Sequence, residues 1–186
     1  MKNTTNVKLE DVDWKEFFIQ EVAEILSGRD IYERERIVGN APYITATATN
    51  NGIGYFVDNN NETLEANCIS VNRNGSVGYA FYHPYLALYG NDTRKLRPIE
   101  INNKYVSLFL TQAIYKQKDK YGYGYKLGTD RLKRQKILLP ITPEGKPNYA
   151  FMENYMRQIE QEQKQKAIRH FSQKLLANLI ITASLA

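Results

Sequence analysis

The first dense apolar cluster of the chain is Trp14, Phe17, Phe18 and Ile19, after which Val22, Ile25 and Leu26 fall at helical spacing. This predicts a short helix over residues 20–26, stopped by Ser27–Gly28. Residues 29–39 are charged and read as a loop. Tyr43–Ile44–Thr45–Ala46–Thr47 is rich in β-formers and reads as a strand, closed by the turn Asn50–Asn51–Gly52. Further strands are predicted over residues 55–57, 66–71 and 78–82, with turns at residues 58–61 and 72–75. The stretches 51–55 and 74–79 resemble each other, each carrying Asn-Gly with a second glycine and a tyrosine behind it. They read as repeated turn chemistry, because glycine supplies the positive φ that tight hairpins require.

Farther along, Val106, Leu108, Phe109, Leu110, Ala113 and Ile114 predict a helix over residues 103–114 packed on that sheet. Residues 121–128, with three glycines and three tyrosines, read as a loop or bulged strand, and residues 137–141 as a short buried strand. The Pro- and Gly-punctuated stretch 142–148 marks a boundary between a domain over 1–148 and a helical segment over 149–186. From Phe151 to Leu179 there is neither Pro nor Gly. Met152, Tyr155, Met156 and Ile159, then Ile168, Phe171, Leu175 and Leu179, step at three and four residues, which predicts one long amphipathic helix. Its middle, residues 160–166, is wholly polar.

Composition refines this picture mainly by exclusion. A single cysteine, Cys68, rules out a disulfide framework within the chain, and two distant histidines, His83 and His170, spell no zinc pattern. A reducing, cytoplasmic setting is expected. Residues 1–16 hold no apolar signal-peptide core, and the longest apolar run, near residues 175–186, is well short of the roughly 20 residues a membrane span needs. Neither secretion nor membrane insertion is expected.

The formal charge of +5 is unevenly placed. Residues 1–93 hold 7 Lys/Arg against 13 Asp/Glu, residues 94–136 hold 12 against 3, and residues 137–186 hold 6 against 4. A basic block interleaved with Tyr115, Tyr121, Tyr123 and Tyr125 is the footprint of a surface that meets polyphosphate, although a merely solvated basic face has the same composition.

Catalytic patterns are fragmentary. Asn40–Ala41–Pro42–Tyr43 echoes the motif of base methyltransferases, but the residues before it cannot hold the parallel-sheet cofactor domain. Asp130, Glu144 and Lys146 spell the residue types of a magnesium-dependent nuclease, yet Pro143–Glu144–Gly145–Lys146–Pro147 is a turn rather than the strand such a site needs. Ser76 lacks the spacing of a nucleophile elbow. No catalytic residue and no metal site is assigned. The rival readings are a small nuclease acting alone and a non-specific single-strand binder using stacked tyrosines.

The order of certain segments is more telling. Residues 14–18, Ala41–Pro42–Tyr43–Ile44–Thr45–Ala46 followed by Asn50–Asn51–Gly52–Ile53, and Ser70–Val71 leading to Asn74–Gly75–Ser76–Val77–Gly78 come first. Lys120–Tyr121–Gly122–Tyr123–Gly124 with Arg131–Leu132, then Ile137–Leu138–Leu139–Pro140 and Phe151–Met152–Glu153, complete the series. In these the chain resembles the DNA-specificity subunits of type I restriction-modification systems, over about residues 14 to 160, and in particular a half-sized member.

The resemblance implies an α+β fold: a target-recognition domain of curved, mostly antiparallel β-sheet with small helices, followed by one long C-terminal α-helix of the coiled-coil type. It implies a non-catalytic subunit that recognises double-stranded DNA and positions modification subunits on a bipartite target. S-adenosylmethionine would be bound by those subunits and no cofactor by this chain, and restriction subunits would join in the full complex. Usual members carry two recognition domains and two antiparallel helices, whereas one of each is seen here, so a homodimer or a one-domain system is expected. Met152, Tyr155, Met156, Ile159, Ile168, Phe171, Leu175 and Leu179 are its candidate dimerisation residues. DNA contact is expected from Thr47, Asn50, Asn51, Arg73, Asn74 and Ser76 at the turns and from Lys116, Lys118, Lys120, Lys126, Arg131, Lys133 and Arg134 in the basic block. For Asn51 and Asn74 turn geometry is a competing explanation.

Overall fold

The computed structural model describes residues 7–122 and 124–184, with side chains as far as Leu176; Tyr123 and the side chain of Leu179 lie outside them. Three sheets, rather than one, make the β part. Strands β1 (Trp14–Phe18) and β9 (Lys136–Pro140) form an antiparallel pair. β2 (Ala23–Ser27), β8 (Thr93–Pro98), β5 (Cys68–Asn72) and β6 (Ala80–His83) lie in that order in an antiparallel sheet. β4 (Ile53–Val57), β3 (Val38–Ile44) and the short β7 (Leu88–Tyr89) form the third, with β3 and β7 parallel.

Two sequence expectations are corrected here. The helix expected over residues 20–26 is a single turn, α1 (Ile19–Val22), and Ala23–Ser27 runs on as β2. Its helical spacing is overridden by pairing with β8, in register from Ala23 opposite Pro98 to Ser27 opposite Arg94. β8 itself, the strand between β2 and β5, has no counterpart in the sequence reading. Its Thr-Arg-Lys-Leu-Arg-Pro composition lacks the apolar alternation of a buried strand, because its cations are neutralised inside the domain.

That neutralisation centres on Glu65. Its carboxylate lies 2.6 Å from Lys95 Nζ and receives Arg97 Nε at 2.7 Å, while Arg97 also reaches Glu24 at 2.7 Å. Lys95 is only 3% exposed and donates further to the Thr63 carbonyl. The Arg97 hydrogen bond, with Lys95 beside it, holds Glu65 down at about 2. Breaking a buried pair from one side strands the other charge, so Glu65→Gln should cost about 3 kcal/mol in urea denaturation at pH 7. The folded pKa lies below the unfolded value of about 4.3, so this stabilisation is complete above that value and is lost as pH falls toward 2. The gap between wild type and variant should therefore close over that window; equal stabilities at pH 7 would refute the role given to Glu65.

The main core lies between the four-stranded sheet, α2 (Lys104–Tyr115), α3 (Thr129–Lys133) and β9, with Ile69, Val71, Leu96, Leu110, Leu132 and Leu139 buried. Asn103 caps α2, its Oδ1 accepting from the Tyr105 and Val106 amides at 3.0 Å each. The same side chain donates through Nδ2 to Glu153 of α4 (Tyr149–Ser184) at 2.8 Å. Tyr105 donates to Glu160 at 2.9 Å and Lys104 pairs with it, so α4 is clamped to α2 as far as Glu160. Beyond that, every described residue from Gln161 to Leu176 is exposed.

This changes the reading of the helix residues. Met152 is fully buried in the domain core, and Tyr155 and Met156 pack against it, with Tyr155 edge-on to Phe109. Met152 therefore roots the helix in its own domain and cannot meet a partner. Ile159 is half-buried, whereas Ile168, Phe171 and Leu175 stand in the open. At about 100° per residue, this distal cluster is turned roughly 150° around the axis from the rooted one. The helix carries two apolar faces, not one continuous stripe.

Candidate nucleic-acid interface

Three loops converge at the end of the sheet where β5 finishes and β8 begins. The loop after β3 carries Thr47, Asn50 and Asn51, that after β5 carries Arg73, Asn74 and Ser76, and the third is residues 90–92. Backbone and side chains zip them together. Asn72 donates to the Thr47 carbonyl at 2.9 Å, and the Ser76 amide donates to the Ala46 carbonyl at 3.1 Å. The Arg73 and Asn74 amides both donate to the Asp92 carbonyl, and Asn74 Nδ2 reaches the Asp92 carboxylate at 2.5 Å.

Asn50, Asn51 and Gly52 adopt left-handed φ of 51°, 54° and 76° in succession, a path open chiefly to Asn and Gly. Gly75 combines φ +55° with an approach so close that a Cβ would sit 2.7 Å from the Ala46 carbonyl oxygen. A side chain there would part the first two loops.

The basic segment flanks this cluster. Gly78 presses on the Lys118 backbone, where a Cβ would come within 2.8 Å of Cα, and Arg94 Nε donates to Thr129 of α3 at 2.7 Å. Arg131 lies over the Tyr125 ring at 4.0 Å and donates to the Lys126 carbonyl. Lys120, Lys133 and Arg134 are exposed and, among the described residues, make no ion pair. Lys118 is paired with Asp119 at 2.5 Å, and Lys116 instead borders an apolar cleft lined by Trp14, Phe109, Leu138, Tyr155 and Met156.

The basic block is thus smaller than its charge count. Lys95 and Arg97 serve the Glu65 network, Lys104 is paired with Glu160, and Lys136 with Glu16. Arg94 is buried, and that burial, then the charge of Arg73, lowers its pKa. Arg73 is partly exposed; its Nε is buried without a hydrogen-bond acceptor, and the Asp92 carboxylate stands 3.9 Å away. The exposed part of its side chain, rather than the buried Nε, is what a phosphate or a base acceptor can reach.

Sequence reasoning missed Arg36, whose guanidinium lies 3.8 Å from the Tyr55 ring centre. The two line a cleft of about 340 Å³ with Tyr32, Thr45, Ala46 and Asp92, continuous with the loop cluster. The signal was hidden in the charged stretch 29–39, where alternating acids and bases read as a solvated loop.

The nuclease alternative finds little support in this geometry. Asp130 sits on α3 and Glu144 in the turn before α4, and no group of three metal-ligating side chains occurs among the described residues. No helix among them is long and apolar enough to cross a membrane.

Three joined loops with a cationic flank on an α+β frame, extended by a long helix, define a class of recognition module, and the comparisons with known proteins specify it. Residues 11–170 match the family model described as the type I restriction modification DNA specificity domain, and the chain belongs to that family. It is 43% identical over 153 residues to the specificity subunit S.BcgI of a type II restriction enzyme of Heyndrickxia coagulans, covering 82% of this chain and 45% of the relative. Among solved structures, it is similar to the type I restriction-modification S subunit of M. genitalium, with a TM-score of 0.63, 20% identity, and coverage of 90% of this chain and 44% of that one. The HsdS subunit of Thermoanaerobacter tengcongensis gives a TM-score of 0.59 at 14% identity, over 86% of this chain and 40% of that one. The two structural likenesses are likenesses of fold. The chain spans less than half the length of each of these three relatives.

Proposed function

We propose that this chain is the sequence-reading element of a restriction-modification methyltransferase complex and recognises one half of a bipartite duplex DNA target. The observation that carries this reading is the convergence of polar loop residues, Thr47, Asn50, Asn51, Arg73, Asn74 and Ser76, beside a cationic flank, in a chain of the specificity-domain family. Cations from Lys118 to Arg134 set the domain on the phosphates, and the loops meet base edges in the major groove. The chain supplies no chemistry itself. Methyl transfer, with its S-adenosylmethionine, belongs to modification subunits that it holds on the DNA, and cleavage to restriction subunits where these join. The second half-site is read by another recognition domain, supplied by a second copy through α4.

The test is enrichment of duplexes from a randomised pool by the chain together with a methyltransferase subunit captured with it from its native source. A defined consensus, retained against single-stranded competitor, is expected. Equal binding to all sequences, or preference for single strands, would rule the reading out.

A further inference from the structure

A hydrogen-bonded chain runs from the sheet interior to the loop after β3. Ser70 on β5 is fully buried, and its Oγ lies 2.8 Å from Nε2 of His83 on β6, which is equally buried. His83 Nδ1 lies 3.2 Å from the Tyr85 hydroxyl, and that hydroxyl receives Asn51 Nδ2 at 3.0 Å. Asn51 Nδ2 also faces the Tyr82 carbonyl at 3.4 Å. A backbone carbonyl can only accept, so the orientation of the Asn51 amide is settled by Tyr82.

The Tyr85 oxygen accepts from Asn51 and, having lone pairs and a proton of its own, meets His83 Nδ1 as donor or acceptor according to the tautomer of the ring. One nitrogen of the neutral ring donates and the other accepts, so Tyr85 and Ser70 take opposite roles toward it. This requires a neutral imidazole, and burial keeps His83 neutral by pushing it down to about 4. A connected chain of hydrogen bonds in a buried site is cooperative and holds its members more firmly than separate bonds would.

The consequence lies at the outer end. Both Asn51 Nδ2 protons are used within the protein, so this asparagine cannot make the two-pronged contact by which Asn reads adenine. Its Oδ1 receives no hydrogen bond among the described residues, and the residue is exposed.

We propose that Ser70, His83 and Tyr85 are positioning residues for base readout: they lock Asn51 so that its side-chain carbonyl serves as acceptor for one exocyclic base amino group, cytosine N4 or adenine N6. This rests on the DNA-reading assignment and goes beyond it in naming the atom that reads and the buried residues that aim it. The Tyr85 hydroxyl is the joint of the device. Tyr85→Phe removes that one oxygen and keeps the ring that packs edge-on against His83.

The test compares wild type, Tyr85→Phe, His83→Leu and His83→Gln, each in complex with the methyltransferase subunit, on the duplex enriched by wild type and on its single-base-pair variants. Tyr85→Phe and His83→Leu should lose about tenfold of the discrimination at one base pair, a C·G or A·T pair whose identity names the amino group read. Discrimination at the other positions and non-specific affinity should be unchanged, and Tyr85→Phe should remain folded with a thermal midpoint lowered by a few degrees, the cost of the partner lost at His83 Nδ1. His83→Gln, which can accept from Tyr85 and donate to Ser70, should restore most of the loss. Full discrimination in Tyr85→Phe, or a uniform loss at all base pairs, would overturn the proposal. A wild-type complex with no sequence preference would instead remove the DNA-reading assignment on which it stands.

Discussion

Replacing Lys120, Lys133 and Arg134 together by glutamine should flatten the dependence of duplex affinity on salt by up to about 2.7 in logarithmic slope, about 0.9 for each phosphate that is no longer neutralised. Between 50 and 200 mM salt, a difference of that size alters the wild-type to variant affinity ratio roughly fortyfold. These three are selected because they are exposed and carry no ion pair among the described residues. Lys118 is a poorer choice despite its contact with Gly78, since Asp119 already offsets its charge and Tyr79 and Tyr115 lie within cation–π range of it. Its single replacement should move the slope less than any of the three. Titrations of one duplex at several salt concentrations provide the measurement. Parallel lines for wild type and triple variant would show that the cationic flank is solvated and that the domain sits on DNA by another face.

What could be read from the chain beforehand divides along a physical line. Local signals were sound where one residue type answers one backbone demand: Asn50, Asn51, Gly52 and Gly75 do take left-handed conformations in their turns, and Asn103 starts a helix close to where apolar spacing placed it. The order of those same segments also carried the family resemblance. Signals failed where long-range pairing decides. Nothing local in Ala23–Ser27 distinguishes a second helical turn from a strand until β8 lies beside it, and β8 is disguised by cations whose partner, Glu65, is some thirty residues away. The same blindness inflated the basic block, because a count of Lys and Arg carries no information on which of them are spent inside the fold. The Ser70–His83–Tyr85–Asn51 chain was equally invisible, since a lone histidine in a sequence gives no sign of the side chains that will bond to its ring.

Phe171→Asp combined with Leu175→Asp should convert an assembling chain into one that sediments as a monomer, while leaving its domain as stable as wild type. Both side chains are exposed, at 67% and 63%, and lie well beyond the clamp at Glu160, so the domain has nothing to lose from the change. An exposed cluster of Ile168, Phe171, Leu175 and Leu176 on a helix that has left its domain calls for another surface. The rotation between the two apolar faces constrains how a second copy supplies it. Full antiparallel overlap would set the distal cluster against the outer side of the partner's root, around Asn154 and Arg157, which is polar. Pairing of distal cluster with distal cluster, centred near residue 172, buries apolar against apolar and is the arrangement expected. The two clamped ends at Glu160 then stand roughly 36 Å apart, from 24 residues at 1.5 Å each. That is close to one turn of B-DNA, so the consensus bound by the assembled complex should be a split palindrome with its halves on a spacing of about one turn. The double variant should bind half-sites individually and ignore their spacing. A wild-type chain that sediments as a monomer both alone and with its methyltransferase subunit, and still directs methylation of an undivided asymmetric site, is the result this arrangement does not survive.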